Sequence, residues 1–354
     1  MATRFLLAAI ATLGFVGLIP AVQAQTAAPA APVASGPVAL RGAGATFPAP
    51  LYQKWIDIYT KANPSLAIEY QAVGSGEGVK RFLENSVDFG GSDAALSDEQ
   101  IAKAPGGATL VPATAGAIVL AYNLPDVKGA LKLSREVYAD IFLGRIRNWN
   151  DPKIQTLNPD LKLPNQTITL VARQDSSGTT YAMTNHLSAI SATWRNQGPG
   201  VGKVIDWPGI SMVAPGNEGV AGRIKRSWGS IGYVEYGFAK RLGLPMVHLE
   251  NKAGRYIEPG LNSGQAALAA NISQIPGNLR VFLPDPEGDD SYPIVTFTWL
   301  LLHDRYPNPQ KSTALKGFVN WALIEGQSYS SDMGYIPLPA DVVALARVAV
   351  DRVQ

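Results

Sequence analysis

Cysteine is missing from all 354 residues. That excludes disulfides and a lipid-modified N-terminal cysteine, so the stability of the fold rests on its core. Histidine is scarce: His186, His248 and His303 are spread along the chain and form no His/Asp cluster of metal ligands. Charge is scarce as well. Charged residues make up 16%, and 30 basic against 28 acidic residues leave a formal net charge of +2, which gives no ground for a nucleic-acid partner. Several motifs are absent. There is no G-x(4)-G-K-[ST] phosphate loop, and "GSGEGVK" (74–80) lacks the spacing of a kinase glycine loop. Ser75 and Ser177 stand in "AVGSGEG" and "QDSSGTT", neither of which is the G-x-S-x-G of a serine hydrolase. The acidic loop "DPEGDD" (285–290) lacks EF-hand spacing and reads as a solvated loop. Past the N-terminus, no stretch is both long and uncharged enough to span a bilayer.

What is present begins with "MATRFLLAAIATLGFVGLIPAVQAQ". Arg4 precedes an apolar run, and the small residues of "VQA" (22–24) suit cleavage before Gln25, the pattern of a secretory signal over 1–24. Residues 25–38 are Ala/Pro-rich and read as a flexible tether. The remainder, in a chain 46% hydrophobic, is long enough for a large core or two lobes, and 35 glycines with 26 prolines imply many turns. "LYQKWIDIY" (51–59) puts Tyr52, Trp55, Ile56 and Tyr59 on one helical face, whereas "LAIEYQAV" (66–73) alternates like a strand. Further strands are expected at 87–90, 117–124, 167–172, 229–236 and 294–303. Helices are expected at 78–85, 97–103, 134–142, 180–190, 218–227 and 311–326. This interleaving predicts an α/β fold with largely parallel sheets, least regular over 250–291.

Four loops share one chemistry. "GAGATFPAP" (42–50), "GSGEG" (74–78), "GGSDAALSDEQ" (90–100) and "RQDSSGTT" (173–180) each set glycines and hydroxyls after a strand or at a helix start. Pro48 suits the first position of the Tyr52 helix, and Ser97 with Gln100 reads as a capping box. Helix N-termini carry free N–H groups and partial positive charge, so they bind anions. A hydrogen bond to a charged group contributes about 1.5–3 kcal/mol, so a few suffice for the ~8 kcal/mol of micromolar binding without a metal or cofactor. Taken singly, each loop is an ordinary turn, Arg173 with Asp175 is an ordinary surface ion pair, and His186 on the following helix has a structural role.

In order and together, these loops resemble the substrate-binding proteins of the phosphate-specific ABC transporter, the Pst system. The resemblance runs from about Leu40 to the C-terminus. "GAGATFPAPLYQKW", "VDFGGSDAALSDE", "FLGRIRNWNDPKI", "LNPDLKLP", "RQDSSGTT" and "GSIGYVEYGFAKR" carry it. It implies a two-lobe periplasmic-binding-protein fold of the type II, Venus-flytrap class, with a hinged ligand cleft. Lobe I would comprise 39–115 and 293–354, and lobe II 116–292, with the crossings near "AIVLAYNL" and "IVTFTWLLLH".

By the same resemblance, Thr46, Phe47, Ser75 and Asp93 bind phosphate from one wall and Arg173, Ser177, Gly178 and Thr179 from the other. Asp175 orients Arg173, and Asp93 accepts a hydrogen bond from the proton that phosphate carries and sulfate lacks. Implied too are a periplasmic monomer that is not an enzyme, no cofactor, and a permease and ATPase complex of the inner membrane as partner. Two positions depart from the pattern. Glu77 adds a carboxylate that either faces the cleft, lowering affinity, or points outward or pairs with Lys80 or Arg81. Ser176 replaces a common glycine, with little consequence expected. The competing readings are a receptor for sulfate or another tetrahedral oxyanion, and a secreted phosphoester hydrolase using Ser75 or Ser177.

Overall fold

The computed structural model describes residues 37–274 and 276–354. The expected signal segment and nearly all of the tether lie outside the described residues, although Val38, read as tether, already begins the first strand.

The fold starts with β1 (Val38–Gly44), α1 (Ala49–Ala62), β2 (Leu66–Ala72), α2 (Ser75–Leu83), β3 (Phe89–Ser92) and α3 (Asp98–Lys103). Tyr52, Trp55 and Ile56 are buried on α1 as their spacing requires, and Pro48 caps the helix one residue before its first turn. The capping box at α3 is present, with Ser97 and Gln100 bonding each other's backbone N–H. A long β4 (Ala108–Tyr122) follows, then β5 (Lys132–Leu133), α4 (Arg135–Phe142), α5 (Pro152–Leu157), β6 (Thr169–Arg173), α6 (Gly178–Ile190) and α7 (Ala192–Gln197). Next come β7 (Ser211–Ala214), α8 (Gly216–Arg226), β8 (Ser230–Glu235), α9 (Tyr236–Leu242), β9 (His248–Glu250), β10 (Tyr256–Ile257) and α10 (Leu261–Asn271). The chain closes with β11 (Val295–His303), α11 (Pro309–Leu323) and α12 (Ala340–Asp351).

Eight strands form one sheet in the order β2-β1-β3-β11-β4-β8-β6-β7. The two wings, β2-β1-β3 and β8-β6-β7, are each parallel, whereas β11 and β4 are antiparallel to their neighbours. The expectation of a largely parallel sheet is therefore correct for the wings and wrong for the centre. The reason is topological: β4 leaves one wing for the other, pairing with β11 over Ala108–Ala117 and with β8 over Ile118–Tyr122. The sequence reading caught only the second half of β4, because "ATLVPATAG" lacks alternation and holds Pro112. A register shift between Thr298 and Trp299 sits opposite Pro112 and Thr114, a bulge where proline cannot donate to the ladder. The stretch 250–291 is more regular than its composition implies, with α10 within it. Its acidic loop is spent on cations: Asp285 pairs with Arg135, Glu287 with Lys252, and Asp289 and Asp290 with Arg255.

Candidate anion-binding site

The C-terminal ends of the parallel strands in both wings converge, as ligand crevices of α/β sheets do. In the first wing, β1 ends at Gly44 and leads into Thr46 and Phe47 before α1. β2 leads through Gly74 into Ser75, the first residue of α2, and β3 leads into Asp93. In the second wing, β6 ends at Arg173, and Ser177 caps α6, whose first residues are Gly178 and Thr179. All eight residues expected to bind are buried, and hydrogen bonds and close packing bring the two sets together. Gly76 donates its N–H to the Ser176 carbonyl at 2.9 Å, and any Cβ at Gly76 would lie 2.0 Å from the Ser176 hydroxyl. Gly74, at φ 95°, leaves room for the Asp175 carboxylate, which would lie 2.3 Å from a Cβ there. Ser176 is thus part of the contact between the wings, more than its expected minor role.

Hydroxyls at this junction are arranged as donors. The Thr46 Oγ1 accepts from Asn217, from its N–H at 3.2 Å and its Nδ2 at 3.1 Å. The Ser75 Oγ accepts from the Asp93 N–H at 3.2 Å, and the Ser177 Oγ from the Thr180 N–H at 3.0 Å. An oxygen that already accepts from a protein N–H keeps its own proton to donate. The Ser177 N–H is committed to the Lys203 carbonyl at 2.9 Å, so what Ser177 has to offer is its hydroxyl. The N–H groups of Gly178 and Thr179 open the first turn of α6, where a helix has no internal acceptor for them.

Arg173 is almost fully covered at its side chain and is gripped by Asp175: Nε bonds Oδ1 at 2.8 Å and Nη2 bonds Oδ2. Nη1 reaches the Thr179 hydroxyl at 3.3 Å. Burial pushes the Asp175 carboxyl up, but the Arg173 bonds and charge and the Gly216 N–H, 2.9 Å away, outweigh it and hold the group below its ordinary range. Asp93 has the opposite balance. Burial raises its pKa to about 7, against the bond from Thr298, the charge of Arg173, the Thr179 hydroxyl and the charge of Lys203. Thr298 donates to Oδ1 at 2.8 Å, while Oδ2 has only a long 3.5 Å contact from Thr179.

Several members of this network escaped the sequence reading. Asn217 is fully buried and ties the wings: it bonds Thr46, donates to Thr179 Oγ1 at 3.2 Å, and accepts the Glu235 N–H at 3.0 Å. "VAPGNEG" (213–219) repeats the strand–glycine–helix pattern of the other loops and would have revealed it. Thr298 sits at the register shift, opposite Thr114, and Tyr233 holds the Arg173 N–H at 3.2 Å and meets the Thr180 hydroxyl at 2.7 Å. Beside Asn217, Glu235 is buried and its carboxyl is pushed up to about 8, chiefly by burial; its Oε2 has no partner among the described residues. Glu77 turns to Arg81, with Nε 2.8 Å away, and is half-exposed to solvent. His186 is buried between the Tyr138 hydroxyl and the Pro284 carbonyl, a structural position. Among the described residues, no group of three or more histidines and carboxylates stands ready for a metal ion.

The family model described as "PBP superfamily domain" matches residues 30–325. The chain is 40% identical over 307 residues to the phosphate-binding protein PstS of Haemophilus influenzae, covering 86% of this chain and 90% of that one. It is 38% identical over 339 residues to the phosphate-binding protein PstS of Methanocaldococcus jannaschii, covering 90% of this chain and 87% of that one. Among solved structures, the phosphate-binding protein of Stenotrophomonas maltophilia superposes with a TM-score of 0.70 at 22% identity, covering 88% of this chain and 93% of that one. The chain belongs to the PBP superfamily, in its PstS family, and has that superfamily's two-lobe α/β fold.

Proposed function

We propose that the protein binds inorganic phosphate in the cleft between its two wings and delivers it to an ABC importer. The observation that supports this most is the pairing of many donors with one acceptor. In this reading the hydroxyls of Thr46, Ser75 and Ser177, the N–H groups of Thr46, Phe47, Ser75, Gly178 and Thr179, and the Arg173 guanidinium donate to the anion, and Asp93 Oδ2 is the acceptor. Phosphate at neutral pH carries both negative oxygens and a proton, and it satisfies both. Sulfate carries no proton and would set an oxygen against Asp93 in a dry cleft.

The lobes of this reading are 39–115 with 293–354, and 116–292, hinged where β4 and β11 cross. The Gly76–Ser176 bond supports a closed state with the walls in contact. The protein acts as a periplasmic monomer after removal of residues 1–24, and its partner is a permease and ATPase complex in the inner membrane. The reading is of a receptor and not of an enzyme, and it is supported by the hydrogen bonds of the described residues, among which no histidine bonds Ser75 or Ser177: His186 bonds Tyr138, and His303 the Pro105 carbonyl. Equilibrium dialysis with labelled phosphate, followed by incubation with a chromogenic phosphoester, tests the reading. One phosphate bound per chain with no hydrolysis supports it. Hydrolysis, or no saturable binding, rejects it.

A further inference from the structure

We infer that Thr298 is a positioning residue that sets the anion specificity of the cleft through Asp93: the threonine hydroxyl holds one oxygen of that carboxylate, so that the other is presented to the ligand as an acceptor. The inference deepens the phosphate reading and rests on it. A carboxylate turns at little cost about its last torsion, so nothing in aspartate itself decides which oxygen faces an anion. Oδ1 of Asp93 is taken by the Thr298 hydroxyl at 2.8 Å, and both residues are buried. Oδ2 has the Thr179 hydroxyl of the opposite wall at 3.5 Å, and that hydroxyl is itself 3.3 Å from Arg173 Nη1 and 3.2 Å from Asn217 Nδ2. Oδ2 therefore lies toward the cationic wall, and Oδ1 toward β11.

The backbone fixes this arrangement. β11 and β3 are antiparallel, and their ladder ends with Trp299 opposite Ser92. The next residues along the two strands are Thr298 and Asp93, so register makes them neighbours. Asp93 is held from other sides as well: its N–H donates to Ser75 Oγ at 3.2 Å, and a Cβ at Gly178, in the first turn of α6, would lie 2.7 Å from the Asp93 Cβ. With the backbone pinned, the side-chain torsions are the freedom left, and the Thr298 bond removes it. Burial favours a protonated carboxyl, which would donate rather than accept. The Thr298 bond is the leading influence against that, ahead of the Arg173 charge, the Thr179 hydroxyl and the Lys203 charge. Among the described residues it is also the one short hydrogen bond that the carboxylate receives. Without it the carboxyl turns or takes up a proton, and in either case it stops opposing an anion that has no proton of its own.

Competition of sulfate against labelled phosphate, by equilibrium dialysis at one pH and ionic strength, tests this on the full chain and its Thr298→Val and Thr298→Ser variants. Valine has the shape of threonine without the hydroxyl, and serine keeps the hydroxyl. Thr298→Val should lower the phosphate-over-sulfate affinity ratio roughly tenfold, the size of one hydrogen bond to a charged group, and Thr298→Ser should stay within about twofold of the parent. In an Asp93→Asn background Thr298→Val should change the ratio no further, because no carboxylate remains to be held. An unchanged ratio in Thr298→Val overturns the inference. So does an equal weakening of both anions, which is what a merely structural threonine would give, and so does a ratio lost as fully in Thr298→Ser. Should Thr298→Val not fold, Thr298→Ala gives the same comparison against Thr298→Ser. A parent that binds no phosphate at all would instead overturn the phosphate reading, so the two failures are distinct.

Discussion

The two walls of the cleft are built from the same kind of loop and carry opposite electrostatic character. The wall from β1, β2 and β3 holds Thr46, Phe47, Ser75 and Asp93: donors, one acid and no cation. The wall from β6, β7 and β8 holds Arg173, Asn217 and the start of α6. Their two carboxylates make the contrast sharpest. Asp175, bonded by Arg173 and Gly216, is held in its charged form, whereas Asp93, buried with a single short bond from Thr298, is raised to about 7. One carboxylate serves a guanidinium, and the other is kept poised to meet a proton. A ligand that satisfies both walls must be an anion and a donor at once, which neither wall alone requires.

The contrast breaks most severely at the cationic wall. Arg173→Ala should weaken phosphate binding by about 2–5 kcal/mol, the cost of removing a charge-assisted partner in a closed site. Arg223→Ala and Arg255→Ala, both at exposed positions, should change it little. Titration calorimetry on the three decides this, and equal small losses would make Arg173 a structural residue. At the acidic wall, Asp93→Asn, which can donate, should relax selectivity by about 1–3 kcal/mol, the size of one unmet polar contact. Sulfate competition against labelled phosphate should be negligible in the parent and measurable in the variant; unchanged selectivity contradicts this role.

Between the walls, Asn217→Ala removes the tie from Thr46 to Thr179. It should cost about 1–2 kcal/mol of phosphate affinity by calorimetry. Undiminished affinity would show that the tie does not matter to binding.

Glu235 sharpens the comparison through stability. Its folded pKa of about 8 lies above the ordinary carboxylate value, so the folded state keeps a proton that the unfolded chain releases. Below the ordinary value both states are protonated. As pH rises towards 8, unfolding releases the proton and stability falls; above 8 the loss is complete. Asp93 contributes in the same direction only up to about 7. Urea unfolding between pH 5 and 9 should therefore show a decline that Glu235→Gln flattens, most clearly between 7 and 8. An identical profile in the variant would contradict the assignment. The smallest effect is expected at Glu77, which is half-exposed and paired with Arg81. Glu77→Gln should alter phosphate affinity by less than about twofold, as exposed ion pairs do. A larger gain would mean that its carboxylate opposes the ligand.

The loops that converge at the cleft were legible because their chemistry is local. A strand end, a glycine and a run of hydroxyls at a helix start can be read within eight residues, as "RQDSSGTT" shows. What escaped depends on pairing across the chain. β1 carries Gly42, Ala43 and Gly44, too small and too uniform to alternate, and it is a strand because β2 and β3 flank it. β4 is buried along 13 of its 15 residues, so it shows no polar face to mark its period. Thr298 reaches Asp93 from a strand 205 residues away, at the point where the β4–β11 ladder shifts between Thr298 and Trp299, and the Lys203 carbonyl meets the Ser177 N–H from 26 residues away in sequence. Pro112 inside an apolar run was the one local sign of that slip.

The central claim is that the two walls hold one phosphate jointly, the cationic wall by charge and Asp93 by the ligand's proton. A crystal structure of the protein grown with phosphate tests it most directly. The account predicts a single phosphate with one oxygen bonded to Arg173 and the Gly178 and Thr179 N–H groups, and another within hydrogen-bond distance of Asp93 Oδ2. A phosphate bound elsewhere, or one that touches Arg173 while Asp93 turns away, would contradict it.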